Sequence, residues 1–141
     1  MPSELIVLFE DNHLLAINKP SGTLVQGDAT GDQPLVETAK EYIKDKYGKP
    51  GAVFLGVVHR LDRPVSGVVL FARTSKSLSR MNELFRNKET EKTYWAIVDK
   101  KPPKSEATLV HWLVKDERKN KTTAFTKEHP EGQRSELSYR V

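Results

Sequence analysis

Five apolar residues in a row, Val68-Val69-Leu70-Phe71-Ala72, follow directly on a charged loop, His59-Arg60-Leu61-Asp62-Arg63-Pro64-Val65-Ser66-Gly67. A continuous apolar run bounded by turn residues predicts a buried strand. Pro64 and Gly67 stiffen and turn the loop that precedes it. The chain must therefore anchor a cluster of charges on one end of a core strand. Such an anchor holds a side chain still.

Asp62 is the group best placed to use that rigidity. It stands between Arg60 and Arg63, with His59 three residues upstream. A free Asp titrates near ~3.9, and a nearby Arg lowers that by about 1–3 units. The expectation is an ionised carboxylate, unsuited to be a general acid. It suits a nucleophile, an anionic base or a stabiliser of developing positive charge. The same residues also describe an ordinary surface Arg-Asp-Arg turn of little energetic weight. Spacing alone leaves both readings open.

The flanks predict a layered α+β chain. Leu5 to Phe9 and Leu14 to Ile17 are β-rich runs joined by Glu10-Asp11-Asn12-His13, a hairpin pattern. Lys19-Pro20-Ser21-Gly22 ends the second run, and Lys19 could meet a phosphate or a carboxylate or simply cap the turn. Residues 23–33 are polar and rich in Gly and Asp, a mobile-loop pattern. Pro34 opens a helix at its first turn, with Val36, Ala39, Ile43 and Tyr47 on one face. Gly48-Lys49-Pro50-Gly51 ends it, and Tyr42 and Tyr47 read as packing residues. Thr74 or Ser75 caps a second helix, with Leu78, Met81, Leu84 and Phe85 as its buried face. Lys76, Arg80, Arg86 and Lys88 ride on its other faces, as a basic surface or as ordinary solubilising charge. Glu91 to Asp99 alternates as a strand, with Tyr94 and Ala96 opposite Trp95 and Ile97. Further strands are expected at Ala107–Val114, Thr122–Thr126 and Glu136–Val141, with turns at Asp116–Lys121 and His129–Gly132.

Composition narrows the function classes. With 141 residues, one domain is expected. The chain has no cysteine and four dispersed histidines, so it offers neither a disulfide framework nor a metal-ligand pattern. No apolar run approaches the roughly 18 residues of a membrane span. The N-terminal Met-Pro-Ser-Glu-Leu-Ile lacks the basic and apolar regions of a signal peptide. A cytoplasmic setting is the expectation. Charge is uneven: residues 1–58 hold 5 Lys/Arg against 8 Asp/Glu, whereas residues 59–104 hold 11 against 5. The positive excess thus lies with the Asp62 loop, as a phosphate-rich partner would favour. A solvated mixed-charge surface would read the same way.

Three stretches together carry a resemblance. His59-Arg60-Leu61-Asp62, then Ser66-Gly67 and an apolar strand ending in Ala72-Arg73, resembles the signature of the RluA-like pseudouridine synthases. Asn18-Lys19-Pro20-Ser21-Gly22 is similar to that family's upstream Lys-Pro-x-Gly element. Glu91-Lys92-Thr93-Tyr94-Trp95-Ala96-Ile97-Val98 is similar to its Lys-x-Tyr strand. Order and spacing agree over essentially the whole chain.

The resemblance implies a mixed, mainly antiparallel β-sheet flanked by helices at about 34–47 and 75–87. It implies an RNA pseudouridine synthase that detaches uracil from ribose, rotates it and reattaches it through carbon 5, in ribosomal or transfer RNA, without cofactor or metal. Asp62 is then the essential carboxylate, as nucleophile or base. Tyr94 lies against the target base. Arg60, with His59, Arg63, Lys19 and Lys92, contacts RNA.

Two departures qualify this. Pro64 and Val65 stand where relatives have another residue and a Thr. The family's later Thr-Gly-Arg and His-Gln-Ile-Arg stretch is not found, so the resemblance implies a catalytic domain, residues 1–141, incomplete at its C-terminal end and without a separate S4 domain. An unpaired sheet edge there would invite self-association. An inactive RNA-binding remnant is the alternative. A nucleoside- or sugar-acting hydrolase would want a second carboxylate, and none lies near the motif.

Overall fold

The computed structural model describes residues 5–141. Met1 to Glu4, part of the stretch read above for a leader, lie outside the described residues. The chain is α+β and forms two compact units, Met1–Thr93 and Tyr94–Val141.

The first unit is a four-stranded antiparallel sheet with two helices. Its elements are β1 (Val7–Glu10), β2 (Leu14–Lys19), α1 (Leu35–Tyr47), β3 (Gly56–Val57), β4 (Gly67–Ala72) and α2 (Ser75–Arg86). The strand order is β1-β2-β4-β3. The apolar run after the charged loop is β4, paired along its length with β2: Leu15 faces Phe71, Ile17 faces Val69 and Lys19 faces Gly67. Side chains alternate across a strand, so these pairs share one face of the sheet. Leu15, Ile17, Val69 and Phe71 are fully buried there and form the core with Leu35, Val36, Ala39 and Ile43 of α1.

α1 forms where the apolar spacing predicts it. Pro34 is the extended residue before it, and the amides of Leu35 and Val36 bond the Leu24 and Val25 carbonyls (2.7 and 3.1 Å). Those bonds fix the end of the loop to the helix, and Val25 is buried. Gly48 ends the helix in the left-handed conformation. Tyr47, expected on the buried face, is about half exposed. Its hydroxyl donates to Glu10 (2.5 Å), as does that of Tyr42 (2.8 Å), while Lys46 reaches the same carboxylate at 2.8 Å and Arg73 at 3.2 Å. The two tyrosines therefore tie α1 to the end of β1.

α2 begins with Thr74, whose hydroxyl accepts the Ser77 amide (3.0 Å) while the Ser77 hydroxyl accepts the Thr74 amide (3.2 Å). This is a capping box with serine at its third position. The expected buried face is only half covered: Leu78, Met81 and Phe85 are intermediate and Leu84 is exposed. The helix leans on the short edge of the sheet, where Leu78 sits over Gly56. A Cβ at Gly56 would lie 2.7 Å from a Leu78 methyl, so any larger residue there would push the Leu78 side chain aside.

The second unit is a three-stranded antiparallel sheet of β5 (Glu106–Asp116), β6 (Lys121–Phe125) and β7 (Gln133–Arg140), ordered β6-β5-β7. The 116–121 turn is held by the Asp116 carboxylate, which accepts the amides of Arg118 (3.0 Å) and Lys119 (3.1 Å). The expected strand at 91–99 does not form. Trp95 and Ile97 are 99% and 104% exposed. Its alternation is apolar on both faces, which suits a strand only when both faces are covered and an edge is available to pair its backbone. Among the described residues none pairs with it. No helix is long and apolar enough to cross a membrane, and no metal-binding cluster occurs, among the described residues.

The Glu10 carboxyl yields a test. Burial pushes its pKa up, but the bonds from Lys46, Tyr47 and Tyr42 outweigh that and hold it at about 2, against 4.5 when free. A lowered folded pKa stabilises above the unfolded value and loses that contribution as pH falls through the folded one. Stability of the wild-type chain should therefore decline between pH 4.5 and about 2. Glu10→Gln should flatten that part of a urea-unfolding pH series and cost about 1–3 kcal/mol at neutral pH.

Candidate active site

The site is built where two turns meet at one end of the β2–β4 pair. β2 delivers Lys19 to that end, opposite Gly67 at the start of β4. Gly67 has φ +143°, a backbone that side-chain-bearing residues rarely adopt. That conformation lets the chain leave the Asp62 turn and enter the strand at once. The turn itself closes with the Val65 amide on the Asp62 carbonyl (3.0 Å). Leu61, beside Asp62, packs against the core.

The Lys19–Gly22 segment clamps this turn. The Arg63 carbonyl accepts both the Lys19 ammonium (3.1 Å) and the Gly22 amide (2.7 Å). The Ser21 hydroxyl donates to the Pro64 carbonyl (2.7 Å), and Arg63 Nε donates to the Gly22 carbonyl (3.0 Å). Lys19 also donates to the Thr23 carbonyl (2.7 Å) and the Pro20 carbonyl (3.2 Å), and it is wholly buried. All three of its protons are thus spent on backbone. Burial lowers its pKa, and the Asp62 carboxylate opposes that fall. Asp62 is the negative charge that the buried ammonium senses.

His59 is also engaged. Its Nε2 accepts the Leu70 amide of β4 at 3.0 Å, which requires that nitrogen to be unprotonated. Its ring stacks on Phe85 of α2, with centroids 5.2 Å apart. Burial, and then the charge of Lys92, lower its pKa. The imidazole therefore pins the start of the motif to β4 and α2 as a neutral ring.

The expected Arg60–Asp62–Arg63 charge cluster does not assemble. Arg63 turns away to the Asp32 carboxylate (2.5 Å). Its Nε already bonds the Gly22 carbonyl, and its fork is then aimed at the 26–33 loop rather than at its neighbour in sequence. Asp62, Arg60 and Lys92 are exposed, and among the described residues none of them makes a side-chain hydrogen bond or ion pair. Tyr94 belongs to the second unit and is 59% exposed, in a stretch without regular structure.

Sequence reasoning missed Ser21 and Asp32. Ser21 sits within a quoted motif, but its partner Pro64 lies 43 residues away. Asp32 lies in a stretch whose composition predicts a mobile loop, whereas Arg63 on one side and the helix-start bonds on the other tie that loop down.

Residues 13–141 match the family described as RNA pseudouridylate synthase. The chain belongs to that family. It is 31% identical over 144 residues to the ribosomal large subunit pseudouridine synthase C of Vibrio cholerae, covering 98% of this chain and 41% of that protein. It is 36% identical over 136 residues to the tRNA pseudouridine synthase C of the same organism, covering 96% of this chain and 53% of that protein. Among solved structures, human RNA pseudouridylate synthase domain containing 4 superposes with a TM-score of 0.78 at 25% identity, over 96% of this chain and 53% of that one. The chain thus spans about half the length, or less, of the relatives it matches.

Two measurements test the roles of the synthase-family motifs in this chain. Lys19→Met leaves the Pro20, Thr23 and Arg63 carbonyls short of a donor and should cost about 2–4 kcal/mol in urea unfolding. A change below ~0.5 kcal/mol would mean that the clamp holds without its cation. For His59, the lowered folded pKa means that its contribution is complete above pH 6.5 and fades as pH falls through the folded value. His59→Gln should remove that slope from a stability–pH profile.

Proposed function

We propose that this chain carries the catalytic carboxylate of an RNA pseudouridine synthase acting on uridines in ribosomal or transfer RNA. The observation that carries the reading is the placement of Asp62. Its carboxylate is exposed at a turn whose backbone is clamped by the Lys19–Gly22 segment and by His59. A fixed anion without a competing internal partner is what glycosidic cleavage asks for, because positive character develops on the ribose.

In this reading the bond between C1′ and uracil N1 breaks, the base turns, and C1′ bonds to C5. The proton lost from C5 balances the one gained at N1. The reaction is an isomerisation and consumes no redox partner. Asp62 acts at the sugar as nucleophile or as base. Tyr94 lies against the base and assists the proton transfer. Arg60 takes the RNA backbone, with Lys92 and the basic face of α2 beside it, offsetting the few kcal/mol needed to extract a stacked nucleotide. Lys19, His59 and Arg63 serve by positioning the Asp62 turn, since their polar groups are bound to backbone or to Asp32. The setting of this chemistry is the cytoplasm, where those RNAs lie.

The reading is supported by membership of the pseudouridylate synthase family together with the intact Asp62 turn. Its test is tritium release from RNA labelled at uridine C5. The wild-type chain should release tritium, and Asp62→Asn should lower the rate by at least about 10³-fold with RNA affinity within about twofold. RNA binding without any release by the wild type would favour an inactive RNA-binding remnant instead.

A further inference from the structure

A cleft of about 650 Å³ opens beside the motif, outside the Asp62 turn. Pro34 and Val36 at the start of α1, Leu55, and Val57 of β3 supply its apolar surface. Its polar groups are Gln26, Glu37, Lys40, His59 and Arg60. The lining is more polar than apolar and the cleft is open to solvent, which suits a ligand that is itself part polar and part planar, such as a nucleotide.

Three observations say what would fill it. The first is continuity with the Asp62 turn. Arg60 borders the cleft and lies two residues from Asp62, a chain distance of at most about 7 Å. A strand whose target uridine stands at Asp62 has an adjoining nucleotide within reach of Arg60. The second is charge. Arg60 has no internal partner among the described residues, and Lys40 borders the cleft in an ion pair with Glu37 (2.8 Å). A phosphate passing there would meet one uncommitted cation and one that it would have to share with Glu37. The third is rigidity. The loop contributing Gln26 and Gly27 is tied to the Asp62 turn by Arg63–Asp32 and to α1 through Leu24 and Val25. The walls are therefore fixed relative to the carboxylate.

We propose that this cleft is a subsite for an RNA nucleotide flanking the target uridine, its base against the apolar surface and its phosphate at Arg60 and Lys40. The proposal rests on the pseudouridine synthase reading above for its choice of polymer. A base splayed out of its stack, with an apolar face and a hydrogen-bonding edge, is the single-stranded unit that proteins read in RNA. Gln26 and Glu37 offer donor and acceptor groups to that edge. Glu37, as a carboxylate, favours bases carrying an exocyclic amine.

The test uses the whole chain, labelled with ¹⁵N and titrated with cytidine 5′-monophosphate, adenosine 5′-monophosphate and ribose 5-phosphate. The nucleotides should shift the amides of Gln26, Gly27, Glu37, Val57 and Arg60 and saturate in the millimolar range. Ribose 5-phosphate should bind at least about fivefold more weakly. Gly27→Trp fills the cleft: a Cβ there is in ordinary contact with Pro34, at 3.9 Å, without strain. Lys40→Glu reverses a charge on an accessible side chain and stands in should the tryptophan disturb the fold. Each should reduce the shifts at least about fivefold. In the tritium assay each should raise KM for RNA about tenfold or more, with kcat falling by less. Shifts that map elsewhere, survive both variants, or are matched by ribose 5-phosphate would overturn the subsite. A wild-type chain that shows the cleft shifts but releases no tritium would sink the enzymatic reading and leave the subsite standing.

Discussion

The Lys19 ammonium is the interaction on which the site depends. Burying a cation costs several kcal/mol unless it is fully hydrogen-bonded. Here three carbonyls meet that demand, two from the turn that follows Lys19 and one from Arg63, 44 residues along the chain. No other side chain brings three rotatable donors to a point at the end of a long apolar stem. The sheet decides that Lys19 arrives there at all. The β2–β4 register puts it opposite Gly67, on the same face as Leu15 and Ile17. A slip of one residue would turn it to the other face and leave the Asp62 turn without its support.

That dependence runs from core to chemistry through short links. The pairs Leu15–Phe71 and Ile17–Val69 lock the register, and burial under α1 makes it costly to change. The locked register brings the two turns together, and the turns share carbonyl acceptors. What emerges is an aspartate whose backbone is held on several sides and whose carboxylate faces solvent. Holding a charged group by its backbone avoids the usual compromise, in which an ion pair fixes the side chain but also neutralises it. Arg63 illustrates the choice. It lies one residue from Asp62 but is recruited by the Gly22 carbonyl and Asp32.

Local patterns were legible in the sequence because they report on periodicity. The apolar run of β4, the hairpin of β1 and β2, the α1 spacing and the three late strands all form within a few residues of their expected bounds. So does the capping of α2 at Thr74. What was not legible depends on partners remote in sequence. The Ser21–Pro64 bond, the Arg63–Asp32 pair and the convergence of Tyr42, Tyr47, Lys46 and Arg73 on Glu10 join residues 31 to 63 positions apart. The stretch 91–99 shows the converse. Alternation says that a segment is able to be a strand, while a ladder needs an edge to pair with, and periodicity carries no word of that.

The charged motif also shows why residue type alone does not separate the groups that meet a ligand from those that meet the protein. Lys19, His59, Arg60, Arg63 and Lys92 look equivalent in sequence, as five basic residues around one carboxylate. Donor and acceptor accounting divides them. Lys19 has spent every proton, His59 has spent its lone pair on Leu70, and Arg63 has committed its Nε and one end of its fork. Arg60 and Lys92 have spent nothing among the described residues. An anionic polymer approaching Asp62 would therefore meet two uncommitted cations before it met three committed ones. The committed three would resist displacement, since each releases a buried or backbone partner if it moves. The motif thus combines a rigid inner set with an available outer set, and the boundary between them follows from hydrogen-bond satisfaction rather than from charge.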